Sequence, residues 1–202
     1  MSFIETVFPN HTCLMCKAEI NKAASLYICS ACVENLPRAK ELFGAQAPFI
    51  YKSPVVELVL RFKYNAEGDI VKLFAPFMAE VWKGEADIIV PVPLSKERLK
   101  SRGYNQALLL ARELSGFSEV PVCEALVRVK KTVPQKNMTQ KERQANLKNA
   151  FKVTEKKSVS DKRVLLVDDV YTTGATAAEC ERVLLNAGAV SVQVLTAARV
   201  VK

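Results

Sequence analysis

Val164-Leu165-Leu166-Val167-Asp168-Asp169-Val170-Tyr171-Thr172-Thr173-Gly174-Ala175-Thr176 carries more structural information than any other part of the chain. Val164 to Val167 form an unbroken apolar run, the composition of a strand covered on both faces in a parallel sheet. From Thr176 to Asn186 the apolar spacing predicts a helix, and Gly188 stands beyond its end as a stop signal. Residues 168–176 thus lie between a strand and a helix. In open α/β sheets ligands bind at that place, outside the carboxyl ends of the strands. Backbone N–H groups of residues 172–176, Ala175 included, point at an anion from the helix start. Thr172, Thr173 and Thr176 add hydroxyls, and Gly174 lets the backbone come close to a phosphate. Two acids would repel a bare phosphate. They suit a ligand with hydroxyls beside its phosphate, and can help hold Mg²⁺ through water. The purely local reading, acids in a turn and Thr as a helix cap, explains one acid and one Thr but not the whole run.

Working outward, the other elements alternate in kind. Val190 to Thr196 reads as a strand, and Ile88 to Val92 as a short buried one that Pro91 cuts off. Helical patterns run from Val55 to about Asn65 and from Asn105 to Leu114. A further one, Ile70 to Trp82, contains Pro76, so it is expected to be kinked or to form two pieces. Strands alternating with helices predict an α/β fold: a parallel sheet flanked by helices. Residues 128–146 are polar, basic and weakly periodic, and read as a long mobile loop.

The six cysteines divide into Cys13/Cys16, Cys29/Cys32 and two singletons, Cys123 and Cys180. Each C-x-x-C places two thiolates on one turn, and two such turns close a tetrahedral Cys₄ cage around Zn²⁺. Two disulfides, or two unrelated reduced pairs, are the alternatives. With four thiolate ligands the metal has no open position and is structural. Residues 1–44 are read as a small Cys₄ zinc-binding module, too short for much core of its own, and residues 45–202 as the α/β domain. His11, the only histidine, lies too close to Cys13 for the usual knuckle. Cys180 falls in an apolar helical pattern with Ala177 and Leu184 and reads as a core thiol.

Half of the 202 residues are hydrophobic and 25% are charged, which excludes a disordered chain. No apolar run reaches the roughly 20 residues of a membrane helix. The N-terminal residues lack the basic start of a secretory signal. The net charge is +8. Residues 121–163 carry twelve basic and four acidic side chains, so this segment holds all of the excess. A segment of that kind faces polyanions, a phosphorylated small molecule or nucleic acid, unless it is only a solvated loop.

The run Asp168 to Gly174 closely resembles the ribose-phosphate loop of type I phosphoribosyltransferases. Further pieces narrow the resemblance to the ComF family of competence proteins: the paired C-x-x-C, Arg61-Phe62-Lys63-Tyr64, Pro91-Val92-Pro93-Leu94 through Arg98, and Arg102-Gly103-Tyr104-Asn105-Gln106-Ala107. Gln135, Arg143, Asn146, Ala150 and Phe151 follow in the family's order. Tyr104 stands where Phe is common, and Asn149 where Gly is common. The resemblance implies a type I phosphoribosyltransferase-like domain. It implies that Asp168 and Asp169 hold the ribose hydroxyls of 5-phosphoribosyl-1-pyrophosphate (PRPP), and that Thr172, Thr173, Gly174, Ala175 and Thr176 hold its 5′-phosphate. Arg98, Arg102 and Gly103 would form the pyrophosphate side, where guanidinium forks suit phosphate oxygens. Lys130, Lys131, Lys136 and Arg143 are candidates to meet departing pyrophosphate. Implied with these are Mg²⁺ bound with PRPP, single-stranded DNA as a partner, DNA-uptake or DNA-processing proteins, and a cytoplasmic location, reaching the membrane only through partners. Two roles compete: a factor in natural transformation that binds PRPP, and a phosphoribosyltransferase acting on an unidentified acceptor. Nucleotide salvage would need a base-reading hood, and no segment is assignable to one.

Overall fold

The run Val164–Val167 is fully buried inside a parallel sheet, as its composition predicts. The computed structural model describes residues 11–20, 27–39, 44–130 and 140–201, without the side chains of His11, Gln140, Lys141, Arg143 and Gln144. In chain order they form β1 (His11–Thr12), β2 (Glu19–Ile20), α1 (Ser30–Glu34), β3 (Phe49–Ile50), α2 (Val55–Tyr64) and α3 (Val71–Val81). Next come β4 (Ile88–Pro91), α4 (Lys96–Arg102), α5 (Gln106–Ser118), β5 (Leu126–Arg128) and α6 (Gln140–Leu147). The chain ends with β6 (Phe151–Val153), β7 (Arg163–Tyr171), α7 (Ala175–Asn186) and β8 (Ser191–Arg199). Four strands make the main sheet in the order β3-β8-β7-β4, every neighbouring pair parallel. β5 and β6 form a separate antiparallel pair.

Alternation along β7 divides the core. Leu165 and Val167 point to one face, with Phe49, Phe62, Phe74 and Leu110. Val164 and Leu166 point to the other, with Phe151, Leu147, Cys180 and Leu184. Cys180 is a buried core thiol, as its helical setting predicts. The strand does not stop at Val167. β8 continues beside it, pairing Asp168 with Thr196 and Tyr171 with Arg199. The acid pair therefore sits within the last residues of a paired strand rather than in a free turn.

α2 buries Val55, Leu58, Val59 and Phe62, one stripe at helical spacing. α3 is one continuous helix with Pro76 inside it, so the two-piece expectation fails. An interior proline costs about 3 kcal/mol. Leu73, Phe74, Phe77 and Met78 are buried around it, and each such side chain returns about 1.5–3 kcal/mol. The loop expected over 128–146 is also corrected. Arg128 ends β5, and Gln140–Leu147 is helical. α6 has little apolar periodicity, but Leu147 is fully buried against the α7 side of the core. Asn149 then turns the chain with φ +59°, the left-handed conformation that Asn tolerates better than most side chains and Gly adopts freely. Residues 131–139, with Lys131, Gln135 and Lys136, lie outside the described set.

The cysteine segment has no core to itself. Cys13, Ile20, Ile28, Cys32 and Leu36 are buried in the same cluster as Phe49, Val55 and Leu58. Arg61 on α2 ties the two parts. Its Nη1 donates to the Leu14 carbonyl at 2.7 Å, and its Nε donates to Glu67 Oε1 at 2.9 Å.

Candidate functional site

Past the carboxyl ends of β4 and β7 lies a cleft of ≈ 390 Å³. Asp168 and Asp169 project from β7, Val92 to Leu94 follow β4, and Thr172 and Thr176 come from the loop and first turn of α7. Arg98 and Arg102 reach in from α4, Lys63 from the end of α2, and Arg128 from β5. Tyr51, just beyond β3, completes the wall. A smaller hollow of ≈ 20 Å³ shares Asp168, Val170, Thr172 and Thr176 with the cleft and adds Gly174 and Ala175. Of the residues expected at the site, Asp168, Asp169, Arg98, Arg102, Thr172, Gly174, Ala175 and Thr176 thus come together. Thr173 is in the same loop but lines neither hollow.

Gly103 lies outside both linings. It is the left-handed C-cap of α4, with φ +82° and open space where a Cβ would be. Lys130 is exposed and is not part of the cleft wall either. Arg143 belongs to α6, with its side chain outside the described set.

The acids are held differently. Asp169 Oδ2 accepts from Lys63 Nζ at 2.8 Å, with both side chains less than a fifth exposed. Asp168 Oδ1 accepts the Asp169 N–H at 2.8 Å. This leaves Asp168 Oδ2 and Asp169 Oδ1 to the cleft, where they can accept from ligand hydroxyls or from water on a divalent cation. Burial, and then the charge of Asp169, push the Asp168 carboxyl up to about 7 against the pull of Lys63 and Arg102. Burial would lower the Lys63 ammonium, but Asp169 and Asp168 outweigh it and hold it above its usual value. Burial, and then the like charge of Arg98, draw the Arg128 guanidinium down. Its plane lies over Phe151, 5.5 Å from the ring centroid. Four cations against two acids, one acid already neutralised by Lys63, leave the cleft electropositive and fit for an anion.

The Arg102-to-Gln106 run builds the corner that aims these groups. The Tyr104 hydroxyl donates to the Phe62 carbonyl at 2.6 Å, and Gln106 Nε2 donates to the same oxygen at 3.2 Å. A carbonyl left over at the end of α2 is thereby satisfied, next to Lys63. Phenylalanine at position 104 would lack the first of these bonds. Arg102 Nη1 donates to Gln106 Oε1 at 3.0 Å. Asn105 accepts from the Ala107 N–H at the start of α5, and its Nδ2 donates to the Val92 carbonyl beyond β4.

The loop depends on Gly174 twice. Its φ is +76°, and a Cβ there would lie 2.3 Å from the Tyr171 hydroxyl. Thr172 to Gly174 therefore turn tightly over the Tyr171 ring, and α7 starts at Ala175.

The four Sγ atoms of Cys13, Cys16, Cys29 and Cys32 lie within 4.8 Å of one another. All are free thiols, and Cys16 and Cys29 are 3.7 Å apart, Sγ to Sγ. A tetrahedron with Zn–S bonds of about 2.3 Å has edges of about 3.8 Å. The cluster is compatible with a structural zinc, and the disulfide alternative does not apply. Burial would push the Cys13 thiol up, but N–H groups of Cys16, Cys29 and Met15 overcome this and bring it to about 6. Cys13 is thus prepared to be a thiolate.

Sequence reasoning gave no role to Lys63 or Arg128. Lys63 stood in a quoted motif, but nothing in the sequence places the end of one helix against an acid more than 100 residues later. Arg128 stood at the edge of the basic segment without being singled out.

The phosphoribosyl transferase domain family matches residues 98–200, about half of the chain. With the competence protein F of Haemophilus influenzae the chain shares 36% identity over 159 residues, 74% of this chain and 69% of that protein. With ComFC of Bacillus subtilis it shares 30% over 182 residues, 88% of this chain and 73% of that one. With the DNA utilization protein YhgH of Escherichia coli it shares 32% over 175 residues, 82% of this chain and 75% of that one. The chain belongs to the ComF family of competence proteins, with a phosphoribosyl transferase domain and an N-terminal four-cysteine cluster. Among solved structures, the glutamine PRPP amidotransferase of B. subtilis overlays with a TM-score of 0.46 at 20% identity, over 67% of this chain and 30% of that larger one. Among the described residues, no helix is long and apolar enough to cross a membrane.

Proposed function

We propose that the protein acts in natural transformation, in the uptake and handling of single-stranded DNA, and that its cleft binds PRPP with Mg²⁺. The observation that carries this is the set of groups that the cleft brings together. An acid pair with two oxygens left over shares the cleft with a helix-opening Thr/Gly loop and the guanidinium groups of Arg98, Arg102 and Arg128. A ligand that fits needs hydroxyls flanked by two separated anions. PRPP has that form. Its 5′-phosphate would meet Thr172, Thr173, Gly174, Ala175 and Thr176, and its ribose hydroxyls Asp168 and Asp169. Its pyrophosphate would meet Arg98 and Arg102, with Gly103 setting the end of the helix that carries them. Mg²⁺ would accompany the pyrophosphate and be held to the acids through water. Zn²⁺ would be held by Cys13, Cys16, Cys29 and Cys32 and serve the fold. The names of the relatives, two competence proteins and a DNA utilization protein, support the DNA role. We place the protein in the cytoplasm, touching the membrane only through DNA-uptake or DNA-processing partners.

The second reading, a phosphoribosyltransferase acting on an unidentified acceptor, draws on the same residues. Positioning and electrostatic stabilisation of departing pyrophosphate would supply the catalysis. Calorimetric titration of PRPP and Mg²⁺ into the metal-loaded protein, with pyrophosphate release followed in the same samples, tests both. Saturable binding is expected, and is expected to vanish in Asp168→Asn/Asp169→Asn. Release that depends on an added acceptor would favour the transferase, and binding without release the DNA-handling factor. No saturable binding would overturn the PRPP assignment.

A further inference from the structure

α4 is a helix with no buried residue. Its ends are well made: Ser95 Oγ accepts the Arg98 N–H at 3.3 Å, and Gly103 closes it in the left-handed conformation. Its sequence, KERLKSR, offers four cations and one acid. Only part of that charge is used by the cleft, which Arg98 and Arg102 line. Lys96 and Lys100 each stand two positions from Arg98, about 200° round the helix. They are exposed and face away from the cleft. A small helix with no fully buried residue and cations on opposite faces lies beside the mouth of a charged cleft.

The aromatic side chains nearby separate cleanly. Phe62 is completely buried. The Tyr104 hydroxyl is spent on the Phe62 carbonyl and its ring packs on Phe62, 5.8 Å between centroids. Tyr51 lines the cleft. Tyr64, one residue beyond Lys63 at the end of α2, is 67% exposed. The Arg102 guanidinium covers one side of its ring, 5.2 Å from the centroid. A large aromatic surface at the Arg102 end of a helix that carries Lys96 and Lys100 on its other face offers the two features that hold single-stranded nucleic acid, a ring for bases to stack on and cations for phosphates. Duplex DNA, its bases already stacked on one another, could use the cations but not the ring.

We infer that α4 and Tyr64 form a single-stranded DNA docking surface at the mouth of the cleft, a base stacking on Tyr64 and backbone phosphates meeting Lys96 and Lys100. This rests on the DNA-handling reading above and gives it a location. It also assigns the two faces of α4 to different anions, the inner one to the small-molecule ligand and the outer one to the strand. The highly basic segment 121–163 is not needed for it.

The test is fluorescence anisotropy of a labelled oligo-dT of about 20 nucleotides, with the full metal-loaded chain, at several salt concentrations between about 50 and 200 mM. Tyr64→Ala is expected to weaken binding about tenfold, within the range of losing one stacked base, and Tyr64→Phe to keep it. Lys96→Ala/Lys100→Ala is expected to reduce the slope of log affinity against log salt by about 1.4, the share of two phosphates on a single strand. It is also expected to leave the PRPP titration unchanged, since neither lysine lines the cleft. Unfolding temperatures check that each variant is folded. Oligo-dT binding that is unchanged in every variant would overturn this surface while leaving the DNA-handling reading intact. No oligo-dT binding by the unaltered chain would overturn that reading and the surface with it. Loss in Tyr64→Phe equal to that in Tyr64→Ala, or equal affinity for a duplex of the same length, would overturn the stacking.

Discussion

Asp168 is held between opposing influences: burial and Asp169 raise its carboxyl to about 7, while Lys63 and Arg102 pull against them. In the unfolded chain the same carboxyl titrates near about 3.9. Between these values the folded protein binds more protons than the unfolded one, so this group's contribution to stability falls as pH rises from 4 to 7. Asn at this position keeps the oxygen that accepts the Asp169 N–H and removes the charge. Asp168→Asn is therefore expected to resist urea better than the unaltered protein at pH 8, on the order of 2 kcal/mol after allowing for Lys63. The advantage should shrink towards pH 4, where the unaltered carboxyl is already neutral. Measurements in Mg²⁺-free buffer check this, and a difference that is the same at both pH values would show that the folded carboxyl is not raised. Ligand binding is expected to run the other way, because an amide cannot accept from two ribose hydroxyls as a carboxylate can. Lower affinity combined with higher stability is the signature of a residue kept for its site rather than for its fold.

The helix caps show how two glycines of similar geometry differ in consequence. Gly103 ends α4 at φ +82° and Gly174 opens α7 at φ +76°. Either one changed to Ala meets left-handed strain of about 1–2 kcal/mol. Gly103 has open space around it, whereas at Gly174 the added Cβ comes within 2.3 Å of the Tyr171 hydroxyl and 2.7 Å of Cζ. Denaturant titration is expected to give Gly103→Ala little more than the strain, and Gly174→Ala at least about 2 kcal/mol beyond it. Adding Tyr171→Phe should recover only part of the excess, since the Cζ contact remains. Equal losses at the two glycines would mean that the loop relaxes away from Tyr171. The same elements mark what was legible beforehand. β7, α7 and α2 were readable because burial on one or both faces writes a pattern into the residues. α4 was not, because it buries nothing, and α6 was not, because among its described side chains only Leu147 is buried, and one residue cannot make a period. β3 is two residues long, too short to alternate. At the site, the acids and the Thr/Gly loop are contiguous in sequence and were legible. Lys63 and Arg128 arrive on separate elements and meet the acids only after the sheet forms. Net charge pointed to residues 121–163, yet among the described residues only Arg128 of that segment lines the cleft.

At the scale of the whole molecule, the four-cysteine cluster and the cleft share one helix. α2 buries Val55, Leu58 and Phe62 in the cluster that also contains Cys13, Ile28 and Cys32. Its Arg61 holds the Leu14 carbonyl on one side, and its Lys63 holds Asp169 on the other. Lys17, in the first cysteine turn, approaches Glu67 at 4.0 Å. The short strands β1 and β2 and the five-residue α1 cannot keep this arrangement by their own propensity. With a metal on the four thiolates they are cross-linked, and without it Cys13 and its neighbours are free to leave the core. Amide hydrogen exchange before and after chelation follows this directly. Leu14 and Lys17, whose N–H groups donate to the Tyr27 and Cys13 carbonyls, should lose protection first. The α2 amides should follow by at least about tenfold, or 1.4 kcal/mol. Leu165 and Leu166 in β7, flanked by strands on both sides, should keep theirs. Arg61→Ala with the metal in place should reproduce a weaker form of the same pattern and speed the chelator's removal of the metal. Uniform loss along the chain would mean that module and domain unfold as one unit. Unchanged protection in α2 would mean that the module props only itself, and that Lys63 is held by the Phe62 cap and Asp169 alone.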